Sequence, residues 1–233
     1  MLERTDPDFI EQQQTMFTRI SRQYDLMNQI MSGWRDGSWR RFAIKQVALP
    51  ESGRLLDIGT GTGSLALEAS QQFPSSQIIP ADLTLPMMEV GRIRNPEALL
   101  DWTAVEVTRL PFLSDTFDGV VSGFLTRNLS DVFQGLSEQY RVLKPGGKIA
   151  ILETSKRAKD ILTPLIRLYM YHLIPTISGL ITKNKEAYTY LYESTDSFLR
   201  AEELAAFLAA AGFKKVLFKH FMFGFIAVHW GEK

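Results

Sequence analysis

The chain has 233 residues, 45% of them hydrophobic and 22% charged, enough apolar material for one globular domain with a sizeable core. Lys and Arg together number 26, as do Asp and Glu, so no overall positive field draws the protein to phosphate backbones, and nucleic acid is not an expected partner. The absence of cysteine excludes disulfides, thiolate metal sites and cysteine nucleophiles, and no metal centre is expected.

Residues 1–14 lack the basic start and apolar core of a secretory signal. The longest apolar stretch, Ile161 to Ile181, is broken by Arg167, His172 and two prolines. The expectation is a cytoplasmic protein without a bilayer-spanning segment. From Phe9 to Val47, apolar residues recur at helical spacing (Phe9, Met16, Phe17, Ile20, then Met27, Ile30, Met31), which predicts a helical N-terminal extension. Arg54 to Ile58 reads as a buried strand running into glycines, followed by a helix from Leu65 to Phe73 and a strand from Gln77 to Ala81. A strand, helix, strand unit implies parallel pairing.

The alternation continues with a helix at Met87 to Arg92 and strands at Trp102 to Val107 and Asp118 to Ser122. A helix at Val132 to Leu143 and a strand at Lys148 to Glu153 follow. A proline-punctuated region to about Tyr192 reads as a helical cap, and Ala201 to Ala211 as an amphipathic helix stopped by Gly212. Two strand-like runs around Gly224 read as a hairpin at the sheet edge. The pattern predicts a single α/β domain with a doubly wound sheet: 1–50 helical extension, 53–154 core, 155–199 cap, 200–233 final helix and strand pair.

The strongest local signal is Asp57-Ile-Gly59-Thr60-Gly61-Thr62-Gly63, where glycines fall at a strand-to-helix turn and leave room for a ligand to touch backbone. Asp82 ends the second strand about 20 residues further on, placed to accept from the ribose hydroxyls of an adenosine. NAD and S-adenosyl-L-methionine both use such a carboxylate. Asp57 favours the second, because a carboxylate complements its cationic end and sits badly against a pyrophosphate. Glu106 either accepts from the adenine amino group, with Val107 packing on the ring, or is a solvated charge. Leu83, Met87, Ser122 and Gly123 complete the expected cofactor-binding set. Arg127 follows the fourth strand, at the carboxyl end of the sheet, and either ties down a loop or stabilises an oxyanion on a substrate. No G-x-S-x-G elbow, H-E-x-x-H or P-loop lysine is present, and His172, His220 and His229 lie far apart.

Tyr24-Asp-Leu-Met-Asn28 with Ser32 and Trp39, and Arg141-Val-Leu-Lys-Pro-Gly-Gly-Lys-Ile-Ala-Ile-Leu-Glu-Thr-Ser155, resemble the two signatures of the ubiquinone/menaquinone biosynthesis C-methyltransferases. Leu110-Pro-Phe112, Arg127-Asn128, Ala187 to Ser194, Ala211-Gly-Phe213 and Gly224 to Gly231 extend the resemblance over nearly the whole chain. The resemblance implies a class I methyltransferase, Rossmann-like sheet of about seven strands with the last antiparallel. It also implies methyl transfer from S-adenosyl-L-methionine to a ring carbon of a reduced, prenylated quinone precursor. Tyr24, Arg127 and Asn128 match positions near the quinone ring. Peripheral membrane contact through Leu162 to Leu180 and a homodimer are further expectations. The chain departs from the family pattern at Asp36-Gly37, Ser64, Glu106 and Ser194-Thr-Asp196, and by one residue inserted before Arg127. The departures keep open another small aromatic or lipid-like acceptor, and a separate alternative is a non-catalytic member of a quinone-synthesis complex that binds the methyl donor.

Overall fold

Strand β1 (Arg54–Ile58) is buried along four of its five residues. A short run that is apolar on both faces belongs at the centre of a parallel sheet. There it pairs in parallel with β2 (Gln77–Asp82) on one side and β4 (Phe117–Gly123) on the other. The computed structural model describes residues 7–98, 100–156, 176, 190, 194–195 and 198–233. With β3 (Thr103–Ala104), β5 (Leu143–Thr154), β6 (Lys214–Phe221) and β7 (Ile226–Glu232), the sheet has seven strands in the order β3-β2-β1-β4-β5-β7-β6. Only the pairings of β7 are antiparallel.

Alternation along the strands feeds two cores. Leu56, Ile58, Val120, Ile149 and Ile151 face α6 (Val132–Val142) and α7 (Ala201–Ala210), where Leu136, Leu204 and Leu208 are buried. Leu55, Val121, Ala150 and Leu152 face α3 (Asp36–Val47) and α4 (Ser64–Gln72), against Trp39, Ala43, Ile44, Leu65 and Ala66. Ahead of them, α1 (Pro7–Ile20) and α2 (Tyr24–Ser32) share a small core of Ile20 and Met27, on which Phe17 and Tyr24 pack. Helix α5 (Leu85–Arg94) joins β2 to the segment before β3. The chain leaves β1 toward β2 and returns to β4 on the opposite side, so the switch point lies between β1 and β4. A crevice opens at the carboxyl ends of these strands.

The predicted sheet and the helices around it are present among the described residues, with two differences, and the C-terminal hairpin lies at the sheet edge as expected. The third strand, expected over residues 102–107, pairs only at Thr103–Ala104. After Val105 donates to Asp82 O, the chain turns, with Arg109 N donating to Glu106 O, which carries Glu106 and Val107 out of the sheet and over the crevice. Strand β5 begins at Leu143 rather than Lys148. The Pro145-Gly-Gly segment lies inside it at a register shift against Phe117 and Gly119. The C-terminal hairpin is an edge addition, and its second strand, β7, is the one that joins β5. The expected cap at 155–199 lies largely outside the described residues. No helix among the described residues is long and apolar enough to cross a membrane.

Gly119 in β4 supports α3 directly: a Cβ there would lie 2.2 Å from Val47 Cγ1 and 3.0 Å from Leu49 Cδ2. Gly119→Ala is expected to cost about 1–3 kcal/mol through forced repacking, read as a lowered urea midpoint with unchanged slope.

Candidate active site

The turn from β1 into α4 is built on glycines in the left-handed region, Gly59 (φ 66°), Gly61 (φ 57°) and Gly63 (φ 84°). Gly59 N and Thr60 N both donate to Ala81 O, at 2.8 and 3.1 Å, which folds the loop back over the end of β2. Gly61 N donates to Asp82 Oδ2 at 2.8 Å, and Thr84 N to Asp82 Oδ1 at 2.7 Å. Asp82 is therefore pinned by two amides, and burial raises its carboxyl above the usual range in spite of them.

Asp57 is fully buried. Its Oδ2 accepts from Thr60 Oγ1 at 2.6 Å and from Ala66 N, in the first turn of α4, at 3.0 Å. Among the described residues its Oδ1 has no hydrogen-bond partner. Desolvation dominates, and the carboxyl is pushed up to about 7.

Two chambers meet over this loop. The larger encloses about 910 Å³ including its open mouth, and Gly59, Gly61, Asp82, Leu83, Met87, Glu106 and Val107 line it beneath Gln13, Gln14 and Phe17 of α1. The smaller is lined by Asn28, Arg40, Asp57, Thr60, Thr62, Ser64 and Leu65, among others. Tyr24, Gly59, Gly61, Gly123 and Phe124 belong to both and form the passage between them.

Most of the cofactor-binding residues read from the sequence converge here, with three differences. Gly63 lines neither chamber; a Cβ there would meet Trp102 at 2.5 Å, so the position serves the close packing of α4. Ser122 also lines neither, its Oγ being buried in β4 without a partner among the described residues. The Thr62 hydroxyl donates to Asp25 Oδ1 at 2.7 Å and so is engaged by α2.

Arg127 lies behind the wall of the cleft, 3% exposed and on neither lining. Its Nη1 donates to Glu153 Oε1 at 2.5 Å, and its guanidinium stands 5.5 Å from the centre of the Phe124 ring. Loop anchoring, one of its two readings, is visible as this ion pair. Its charge still reaches the passage: burial raises the Tyr24 phenol above its ordinary value, and Arg127 partly offsets the rise. Asn128 does reach the larger chamber, where its Nδ2 donates to Phe124 O at 3.1 Å and its Oδ1 accepts from Tyr190 OH at 3.3 Å.

Four contributors carried no sequence argument of their own. Asp25 joins the glycine loop to α5, accepting from Thr62, from Ser64 at 3.3 Å and from Arg94 at 2.7 Å. Gln13 donates to Tyr190 at 2.7 Å, above Asn128. Arg40 enters the smaller chamber from α3. Of these, Asp25 and Tyr190 lie inside quoted signature segments, which is the signal that marks them. Buried His229, held by burial near 4, is neutral at physiological pH and faces Ala201 O at 2.9 Å, so its role is packing. Among the described residues no three His, Asp or Glu side chains are placed to hold a metal.

A model of the ubiE/COQ5 methyltransferase family matches residues 9–233. The chain belongs to this family. Among its relatives, the ubiquinone/menaquinone biosynthesis C-methyltransferase UbiE of Desulfotalea psychrophila is 39% identical over 94% of this chain and 89% of its own length. The demethylmenaquinone methyltransferase of Thermus thermophilus is 37% identical over 94% of this chain and 100% of its own length. Among solved structures, a SAM-dependent methyltransferase of Thermotoga maritima superposes with a TM-score of 0.62 at 23% identity, covering 94% of this chain and 99% of that one, which shows the shared fold. The protein is an S-adenosylmethionine-dependent methyltransferase with the class I fold.

Two outcomes test this geometry. Glu153→Ala leaves Arg127 buried without its counter-charge and is expected to cost about 3–5 kcal/mol of stability in urea denaturation. Asp57 accounts for the second. With its carboxyl near 7, a cationic ligand group must find it ionised, so affinity for S-adenosylhomocysteine by calorimetry should fall about tenfold per pH unit below about 7. In the unliganded protein the sign reverses. The folded value lies above the ordinary 3.8, so the folded state holds a proton that the unfolded chain releases, and this group's contribution to stability rises as pH falls from about 7 to about 4. Asp57→Asn should remove both slopes and raise the unliganded Tm at pH 8.

Proposed function

We propose that the protein transfers the methyl group of S-adenosyl-L-methionine to a ring carbon of a reduced, prenylated quinone precursor, a demethylmenaquinol or a close relative of one. The observation that carries the cofactor half is the orphaned, fully buried Asp57 Oδ1 beside a glycine loop, an acceptor that fits the ammonium of the cofactor's amino-acid end. Asp82, pinned at the end of β2 with Leu83 beside it, suits the ribose hydroxyls. Met87, Glu106 and Val107 suit the adenine. The acceptor half is supported by the names of the relatives, one a ubiquinone/menaquinone biosynthesis C-methyltransferase and the other a demethylmenaquinone methyltransferase.

When bound, the cofactor supplies an electrophilic sulfonium methyl group. What remains for the protein is alignment of a nucleophilic carbon and exclusion of water, worth about 7–11 kcal/mol when well achieved. Tyr24, Gly123 and Phe124 form the passage between the chambers and hold the acceptor ring against the reacting centre. Burial keeps the Tyr24 phenol protonated at neutral pH, so it donates a hydrogen bond to a ring oxygen. As a neighbouring ring hydroxyl passes its proton to a water molecule, charge develops on the ring oxygen and the Arg127 guanidinium stabilises it from behind the Phe124 wall. Asn128, fixed through Phe124 O and Tyr190, sets the opposite edge of the ring. The prenyl tail and contact with the inner membrane surface fall to the apolar segment 162–180, whose composition is their support.

The test is an anaerobic assay with methyl-labelled S-adenosyl-L-methionine and reduced demethylated naphthoquinols and benzoquinols in detergent, with products read by mass spectrometry. Methylated product from one ring class is expected. Binding of S-adenosylhomocysteine with no product from either class would overturn the acceptor assignment. In the same assay Arg127→Ala should lower kcat about 10²-fold or more with cofactor affinity retained, and full turnover would remove its electrostatic role.

A further inference from the structure

The smaller chamber holds two groups of opposite charge whose hydrogen-bonding capacity the protein does not use. One is Asp57 Oδ1, buried and unpartnered. The other is Arg40 of α3, which lines the same chamber and whose charge acts on Asp57. Its only hydrogen bond among the described residues runs from Nη1 to Asp36 Oδ2, at 2.5 Å. A guanidinium carries five N–H donors in a planar fork, so Nε and Nη2 remain available. Resting on the proposed cofactor, we infer that Arg40 binds the carboxylate of its amino-acid end and that Asp36 positions the guanidinium for this. The protein thereby reads an α-amino acid zwitterion, with Asp57 on the ammonium and Arg40 on the carboxylate.

The bland alternative is an ordinary ion pair along one helix, which contributes little when exposed. The surroundings argue against it. The Asp36 side chain is 6% exposed and the Arg40 side chain 13%, so both have been taken out of water. Asp36 is also braced from α2: Ser32 Oγ donates to its Oδ1 at 3.1 Å, and the Asp36 amide donates back to Ser32 Oγ at 3.3 Å. Such bracing fixes the direction in which the fork points. Arg40 also stabilises the charged form of Asp57, which places its field at the carboxylate across the chamber.

Charge accounting favours a zwitterion over a simple cation or anion. A cation alone would satisfy Asp57 and leave Arg40 to water, and an anion alone would do the reverse. A ligand with both groups on one carbon satisfies both while entering a partly desolvated space as a neutral unit. The adenosine-binding residues line the other chamber, so the amino-acid end is held independently of the base and sugar.

The experiment is calorimetric and needs no turnover. The full-length protein is titrated with S-adenosylhomocysteine, with its decarboxylated analogue and with 5′-methylthioadenosine, which lacks the amino-acid end entirely. The wild type should prefer S-adenosylhomocysteine over the decarboxylated analogue by about 10²-fold, the cost of leaving a charged donor without its acceptor. Arg40→Met should compress this ratio to about threefold or less and leave 5′-methylthioadenosine affinity unchanged. Asp36→Asn should give an intermediate ratio. Arg40→Lys guards against loss of folding; it retains the charge, should keep the wild-type Tm and should lose about tenfold of the ratio through loss of the fork. An undiminished ratio in Arg40→Met or Arg40→Lys overturns the inference, as does an equal loss for all three ligands, which would mark a scaffold role. Failure of the wild type to bind any of the three would instead overturn the cofactor assignment itself, and this inference with it.

Discussion

The carboxylate of Asp57 is where strand, loop and helix are joined. It ends the central strand, and through one oxygen it accepts from Thr60 in the loop and from the Ala66 amide at the start of α4. Gly63 ahead of α4 offers no side chain to cap the helix, so Asp57 supplies that acceptor from across the turn. A neutral acceptor would satisfy the same donors more cheaply, since a buried carboxylate with an unpaired oxygen is desolvated and half-protonated near neutral pH. The arrangement is intelligible as a site whose ionised form is completed by a ligand: the stability forgone in the empty protein is regained when a cation arrives.

The N-terminal helices turn an open crevice into an enclosed site. A doubly wound sheet by itself leaves its switch point facing solvent. Here α1 and α2 lie across it, held at separated points. Asp25 ties α2 to the glycine loop and to α5, Gln14 donates to Leu83 O at 3.4 Å, and Gln13 meets Tyr190. Tyr24 stands in the passage between the chambers because α2 is anchored on both sides of it. The extension thus supplies walls for both chambers, so the passage between them is screened from water by side chains that lie before the sheet in the sequence.

The sheet and its glycine turn were legible because they rest on local signals: a short two-sided apolar run, glycines where the backbone must turn left-handed, a carboxylate at a strand end. Readings that depended on side-chain direction fared differently. Thr62 and Gly63 share a motif with Gly61, yet the turn aims Thr62 at α2 and Gly63 at Trp102. Arg127 carried two readings by its place in the sequence, an anchor or an electrostatic group, and its partner Glu153 lies on β5, brought alongside only by the pairing of β4 with β5. Arg40 has no local signature at all. Its significance depends on what faces it across a chamber built from α2, α3, β1 and the glycine loop, a relation among distant segments that periodicity and spacing do not carry.

The position of β7 has a consequence for how the molecule is made. Strand β5 carries Ile149 and Ile151 in one core and Ala150 and Leu152 in the other, and its second neighbour is β7, paired from Lys148↔Glu232 to Thr154↔Ile226. On a ribosome every earlier strand emerges before that neighbour exists, so β5 waits as an open, apolar edge, the kind of surface on which nascent chains add foreign strands. Completion of the sheet is therefore a late event that depends on contacts distant in sequence, the kind of closure that is intrinsically slow.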